Sequence, residues 1–159
     1  MLIKILIVDD DLEILRSLGK TFNNLLKGYL VLSATSANEG LSLLKEQRPD
    51  IVVVDVRLGP TSGMDLISDY YNWIEKEGYG YKPVFIVITA YDDEDVKKKA
   101  EKFKVDAFLM KPFSKEAILH AVIDGVCKIL HNELNVLDGL RNHYKTVLEK
   151  INNIDKELK

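Results

Sequence analysis

Ile5-Leu6-Ile7-Val8-Asp9-Asp10-Asp11, residues 5–11, is a run of aliphatic side chains that stops abruptly on three carboxylates. The whole run, Ile3–Val8, is near-continuous in apolarity rather than alternating. Continuous apolarity means burial on both faces, which is how strands of a parallel sheet are written. The same form recurs along the chain. Ile51–Val54 leads into Asp55, Pro83–Ile88 into Thr89, and the weaker Ala107–Met110 into Lys111, with Tyr29–Ala34 as a fifth run.

Helical periodicity fills the intervals. Leu12, Leu15, Leu18, Phe22 and Leu25 recur at steps of three and four. Ser36-Ala37-Asn38-Glu39 reads as a capping box opening a helix with Leu41 and Leu44 inward. Met64, Ile67, Tyr71 and Ile74 form a third stripe, and Val96, Ala100 and Phe103 a fourth. Ser114 is placed to cap a fifth helix carrying Ile118, Val122 and Val126. Strand and helix thus alternate five times with short crossovers, which predicts an α/β fold whose parallel sheet is covered on both faces.

The composition fits that reading. The chain has 159 residues, 47% hydrophobic and 30% charged, with 25 acidic against 22 basic side chains and a net charge of −3. Such a chain can bury a core without covalent staples. A weakly acidic balance gives no electrostatic reason to expect nucleic acid. The single cysteine, Cys127, excludes an intrachain disulfide and suits a reducing cytosol. No segment reaches the ~18–20 apolar residues of a membrane span. The apolar start enters Asp9 too soon for a secretory signal, so a cytoplasmic location is expected.

In open parallel sheets, function collects at the carboxyl ends of the strands. Those ends carry Asp9, Asp10, Asp55, Thr89 and Lys111. Three clustered carboxylates repel one another unless a cation is present, and their hard oxygens suit Mg²⁺. Lys111 could clamp an oxygen of an incoming phosphoryl group, Thr89 could donate to another, and Asp55 could accept the group as an acyl phosphate.

With these residues in place, the chain resembles a response-regulator receiver domain of a two-component system. The matching pieces are residues 5–11, Arg48–Asp55, Ile86–Ala90 and Phe108–Phe113, with Gly63 eight residues after Asp55. The resemblance covers about residues 2–128. It implies a flavodoxin-like doubly wound five-stranded sheet of order 2-1-3-4-5. It implies a signalling switch, not an enzyme turning over outside substrates, phosphorylated at Asp55 by a histidine kinase or phosphotransfer protein. By resemblance Asp10 is a direct Mg²⁺ ligand, Asp9 acts through water, and Asp55 is ligand and phosphoacceptor. The backbone carbonyl of Arg57 completes the protein ligands, and Thr89 and Lys111 bind the phosphoryl oxygens. Phe108 is the aromatic switch, relaying the change to helix four, strand five and helix five. Lys111-Pro112 is a cis peptide in this family.

Some positions depart from the family pattern. Pro60 stands one place later than usual. Lys104 occupies a left-handed position usually held by glycine. Glu75–Lys82 lengthens the connection into strand four and reads as a solvated loop. Arg57 and Tyr91, two residues beyond Asp55 and Thr89, have the bulk to hinder the water that hydrolyses the acyl phosphate. Arg57 also stands where hydrolases using an aspartyl phosphate carry an acid/base aspartate, which argues against that class. Retention of all five site residues argues against a purely structural module.

From about His131 onward no strand signal follows, and the expected division is into residues 1–128 and a helical extension, 129–159. Leu137, Leu140, Tyr144, Val147, Ile151, Ile154 and Leu158 are spaced 3, 4, 3, 4, 3, 4, an a/d heptad seam weakened upstream by Glu133. The leading expectation is a coiled coil that pairs two chains. A seam folded on its own domain, or a linker to an output module, is the second reading. The third, a phosphoacceptor helix built on His131 and Asn135, matches poorly, and His131 reads better as a solvated side chain. His120 and His143 have no metal-ligand spacing.

Overall fold

The computed structural model describes residues 2–25, 28–78, 80–90 and 93–157, with Leu25 and residues 138–157 described by backbone alone. Five parallel strands form one sheet: β1 (Ile3–Val8), β2 (Tyr29–Ala34), β3 (Ile51–Asp55), β4 (Val84–Thr89) and β5 (Ala107–Met110). Their order across the sheet is β2-β1-β3-β4-β5. Helices alternate with them: α1 (Leu12–Leu25), α2 (Ala37–Gln47), α3 (Gly63–Glu77), α4 (Glu94–Lys102) and α5 (Lys115–Glu157). The chain divides into two compact units, Met1–Gly125 and Val126–Lys159.

The continuous apolar runs are buried on both faces, as their composition demands. On one face Leu6, Val8, Val52, Val54, Phe85 and Val87 pack with Leu44 of α2, Ile67 and Tyr70 of α3, and Val96 and Ala100 of α4. The alternate residues Ile5, Ile7, Ile51, Val53, Ile86 and Ile88 are also fully buried. There Gly125 of α5 lies so close that an added Cβ would stand 2.9 Å from Val84 Cγ1 and 3.5 Å from Ile51 Cδ1. Each side chain of this size contributes roughly 1.5–3 kcal/mol on burial, so the strands carry the fold's main driving force.

The helix signals work locally. Ser36 is extended (φ −147°) and its hydroxyl accepts from Glu39 N–H at 3.3 Å. The Glu39 carboxylate takes Thr35 N–H at 2.8 Å, one residue before the cap. Asp11 caps α1 by accepting from Glu13 N–H at 2.8 Å, and Ser114 caps α5 by accepting from Ala117 N–H at 3.1 Å.

Four sequence readings need correction. Leu12, the first residue of α1, is 54% exposed, and the buried stripe of that helix is Leu15, Leu18 and Phe22. Tyr70, not Tyr71, is the buried tyrosine of α3; Tyr71 is half-buried and stacks on Phe103 at 5.6 Å. Phe103 lies at the C-cap of α4 rather than within it. Residues 75–82 are not simply a solvated loop: α3 runs to Glu77, Gly78 closes it at φ 70°, and the Tyr81 hydroxyl donates to Pro49 O at 2.6 Å.

Candidate functional site

Strand order brings the site residues to one edge. β1 and β3 are neighbours in the register Val8↔Val54, so Asp9 and Asp55 leave the sheet at the same level. β3 neighbours β4 with Asp55↔Ile88, and β4 neighbours β5 with Thr89↔Met110, which brings Lys111 alongside. Backbone bonds carry the order past the strands: Asp9 N–H donates to Ala34 O at 3.1 Å and Val56 N–H to Ile88 O at 2.8 Å. Lys111 N–H donates to Thr89 O at 2.7 Å, and Lys111-Pro112 is cis.

One ammonium serves two carboxylates. Lys111 Nζ donates to Asp55 Oδ2 in a short bond and to Asp9 Oδ2 at 3.2 Å. The other oxygen of each aspartate takes a backbone donor, Arg57 N–H on Asp55 Oδ1 at 3.1 Å and Asp11 N–H on Asp9 Oδ1 at 2.8 Å. Asp9, Asp55 and Thr89 are buried, which is unusual for carboxylates and marks a built site. Burial pushes the Asp9 carboxyl up, helped by the neighbouring Asp55 charge; Asp11 N–H and Lys111 pull the other way without cancelling it. Burial by itself would lower the Lys111 ammonium, but the bond and charge of Asp55, with Asp9 behind it, hold it above the usual lysine value.

The remaining site residues stand around this pair. Asp10 is exposed, and its Oδ2 accepts from Gly59 N–H at 3.1 Å. That contact ties the carboxylate to the small hairpin made by Arg57–Leu58 and Thr61–Ser62. Among the described residues no three acidic, histidine or cysteine side chains converge into a ready metal cluster. The expected convergence of three carboxylates is therefore two plus one: Asp9 and Asp55 share Lys111 while Asp10 is turned to Gly59. Phe108 is half-buried against the core and lines a groove of about 320 Å³ with Lys97, Ala100, Glu101, Lys104 and Val105. Arg57 is exposed; Tyr91 lies outside the described residues.

Gly63 has a physical reason for being glycine: a Cβ there would stand 2.1 Å from the Asp55 carbonyl oxygen. Gly63 N–H also donates to Val56 O at 2.9 Å, so α3 starts hard against the strand that ends in Asp55.

Residues 5–123 match the family model described as the response regulator receiver domain. The chain belongs to this family. Response-regulator receivers act as phospho-accepting switches in two-component signalling, and they interact with histidine kinases or phosphotransfer proteins. Among curated proteins, the chain is 34% identical over 122 residues to the transcriptional regulatory protein GlrR of Escherichia coli strain K12, covering 77% of this chain and 26% of that one. It is 31% identical over 115 residues to the transcriptional regulatory protein KdpE of Mycobacterium tuberculosis, covering 72% and 47%. The chain thus spans between a quarter and a half of these relatives' length. Among solved structures, a CheY-like receiver domain from Methanospirillum hungatei superposes with a TM-score of 0.71 at 25% identity, covering 80% of this chain and 96% of that one. Among the described residues no helix is long and apolar enough to cross a membrane.

Two aspartates hold the sheet in a role that the sequence reading does not give them. Asp50 and Asp106 each open a strand, and each accepts from the backbone of the neighbouring strand: Lys4 N–H to Asp50 Oδ2 at 2.7 Å, Phe85 N–H to Asp106 Oδ2 at 2.8 Å. The signal was present as a repeated pattern. Arg48-Pro49-Asp50 and Lys104-Val105-Asp106 each place a left-handed residue, φ 47° and 51°, two positions before the aspartate.

Proposed function

We propose that Asp55 is the phosphoacceptor of this receiver. An Asp55 carboxylate oxygen attacks the phosphorus of a phosphohistidine or small acyl phosphate. The new O–P bond forms as the bond to the donor breaks, and the electron pair leaves with the donor. Lys111, already on Asp55 and Asp9, neutralises the transferred group, and the Thr89 hydroxyl donates to one of its oxygens. The observation that carries this reading is the single ammonium shared by two buried carboxylates beside Thr89.

The donor set suits a hard divalent cation: Asp9 and Asp55 are buried carboxylates drawn to one ammonium, burial with a smaller push from Asp55 keeps the Asp9 carboxyl raised, and Asp10 adjoins them. Asp9, Asp10, Asp55 and the Arg57 carbonyl would hold Mg²⁺, whose charge, when bound, offsets that of the phosphoryl group. Lys111, bonded to both Asp55 and Asp9, is placed to follow the phosphoryl oxygens. Rearrangement around Thr89 reaches Phe108 and, through its groove, α4, β5 and α5. Residues 1–128 form the receiver and 129–159 a helical extension that pairs two chains. The protein works in the cytoplasm, with a histidine kinase or phosphotransfer protein as donor, and turns over no outside substrate.

Incubation with acetyl phosphate and Mg²⁺ should add one phosphoryl group by intact mass. Asp55→Asn and removal of Mg²⁺ with a chelator should each abolish the addition. Equal labelling of Asp55→Asn refutes the assignment.

A further inference from the structure

The seam expected from the sequence begins at Leu137, yet the helix exposes leucines above it. Leu130 is 43% exposed, Leu134 59% and Leu137 60%, and Cys127 is exposed one turn earlier. Their spacing, 127, 130, 134, 137, runs 3, 4, 3, the heptad rhythm of one apolar stripe. Leaving three leucines in water on one helix is costly, and a single helix in this unit offers them no internal partner.

This stripe does not continue in phase. An unbroken rhythm would follow Leu137 with position 141, which is Arg141; the next apolar residue is Leu140. Two steps of three therefore meet at Leu137, equivalent to inserting three residues into a heptad repeat, which overwinds a coiled coil locally. An unslipped register would instead place Val126 and Glu133 inside and leave Cys127 and Leu134 outside. Below the slip, Lys150 falls at g and Asp155 at e, five residues apart. That spacing brings them together across two parallel chains in register.

We infer that a second copy of this chain covers the stripe Cys127, Leu130, Leu134 and Leu137 in a parallel, in-register coiled coil that changes phase at Leu137. This rests on the proposed pairing through the extension and adds its upstream boundary, its direction and its slip. Parallel alignment sets the two Cys127 residues against each other at a core position, within the ~7 Å Cα reach of a disulfide.

The test uses the full chain. Copper–phenanthroline and air should oxidise the two thiols to one disulfide, the oxidant taking the two electrons and two protons, and give a covalent dimer absent in Cys127→Ser. Leu134→Asn removes a core leucine from both chains and should weaken the dimer about a hundredfold by sedimentation (about 2.7 kcal/mol). Asn132→Ala, at the outer f position of this register, should leave it intact. A dimer that neither cross-links at Cys127 nor responds to Leu134→Asn overturns the slipped, parallel seam while sparing the pairing. A monomer at every concentration overturns both.

Discussion

The two edges of the sheet use aspartate in opposite ways. At the amino edge Asp50 and Asp106 form reciprocal clasps: each donates its own N–H to a neighbouring strand's carbonyl at 2.9 Å and accepts that same residue's N–H on its carboxylate. The partners are Lys4 and Phe85, fixed by the backbone. At the carboxyl edge Asp9 and Asp55 each spend one oxygen on a backbone N–H and the other on the same ammonium, Lys111. A backbone donor cannot leave without unmaking the strand; a lysine on four methylenes can. One edge is therefore stitched and the other is held by a movable counter-charge, which is what a switch requires.

The comparison breaks most severely at Lys111. Lys111→Met leaves Asp9 and Asp55 buried with no cation between them, and removing one partner of a buried ion pair costs about 3 kcal/mol. Urea unfolding in chelator should show that loss, and millimolar Mg²⁺ should restore part of it. No loss in chelator would mean that the carboxyl edge does not depend on the lysine charge.

The clasp should behave differently. Asp106→Ala deprives the buried Phe85 N–H of its acceptor, and an unsatisfied buried donor costs about 1–3 kcal/mol. Stability should fall whether or not Mg²⁺ is added, and the acetyl phosphate reaction should go to the same extent as in the parent. A loss rescued by Mg²⁺ would show that the two edges are not independent.

These contrasts explain what was readable in the sequence. The strands were legible because unbroken aliphatic runs have few alternatives to double-sided burial, and their last residues named the carboxyl edge directly. The sharing of Lys111 was not legible, since it depends on where a long flexible side chain ends in space. Asp50 and Asp106 were missed because an aspartate before a strand reads as turn punctuation until the neighbouring N–H is located. Tyr70 and Tyr71 were exchanged because adjacent aromatics on a helix differ by only ~100° of rotation, within the uncertainty of a stripe read from spacing. Tyr81 gave no periodic signal, being fixed by its hydroxyl bond to Pro49 O.

The smallest effect belongs to the left-handed residue that precedes each clasp. Lys104 closes α4 at φ 51°, donating its N–H to Glu101 O at 3.1 Å while Val105 N–H reaches Ala100 O at 2.9 Å. A side chain in this conformation costs roughly 1 kcal/mol that glycine avoids, though glycine gives part of it back in unfolded-chain entropy. Lys104→Gly should therefore raise stability by about 0.5 kcal/mol in urea unfolding. Combined with Asp106→Ala the gain should persist, because the strain sits in the backbone of Lys104 and the clasp in the carboxylate two residues on. If the gain vanishes in the double variant, the left-handed turn is held in place by the clasp. The amino edge would then be a single cooperative joint rather than two independent devices.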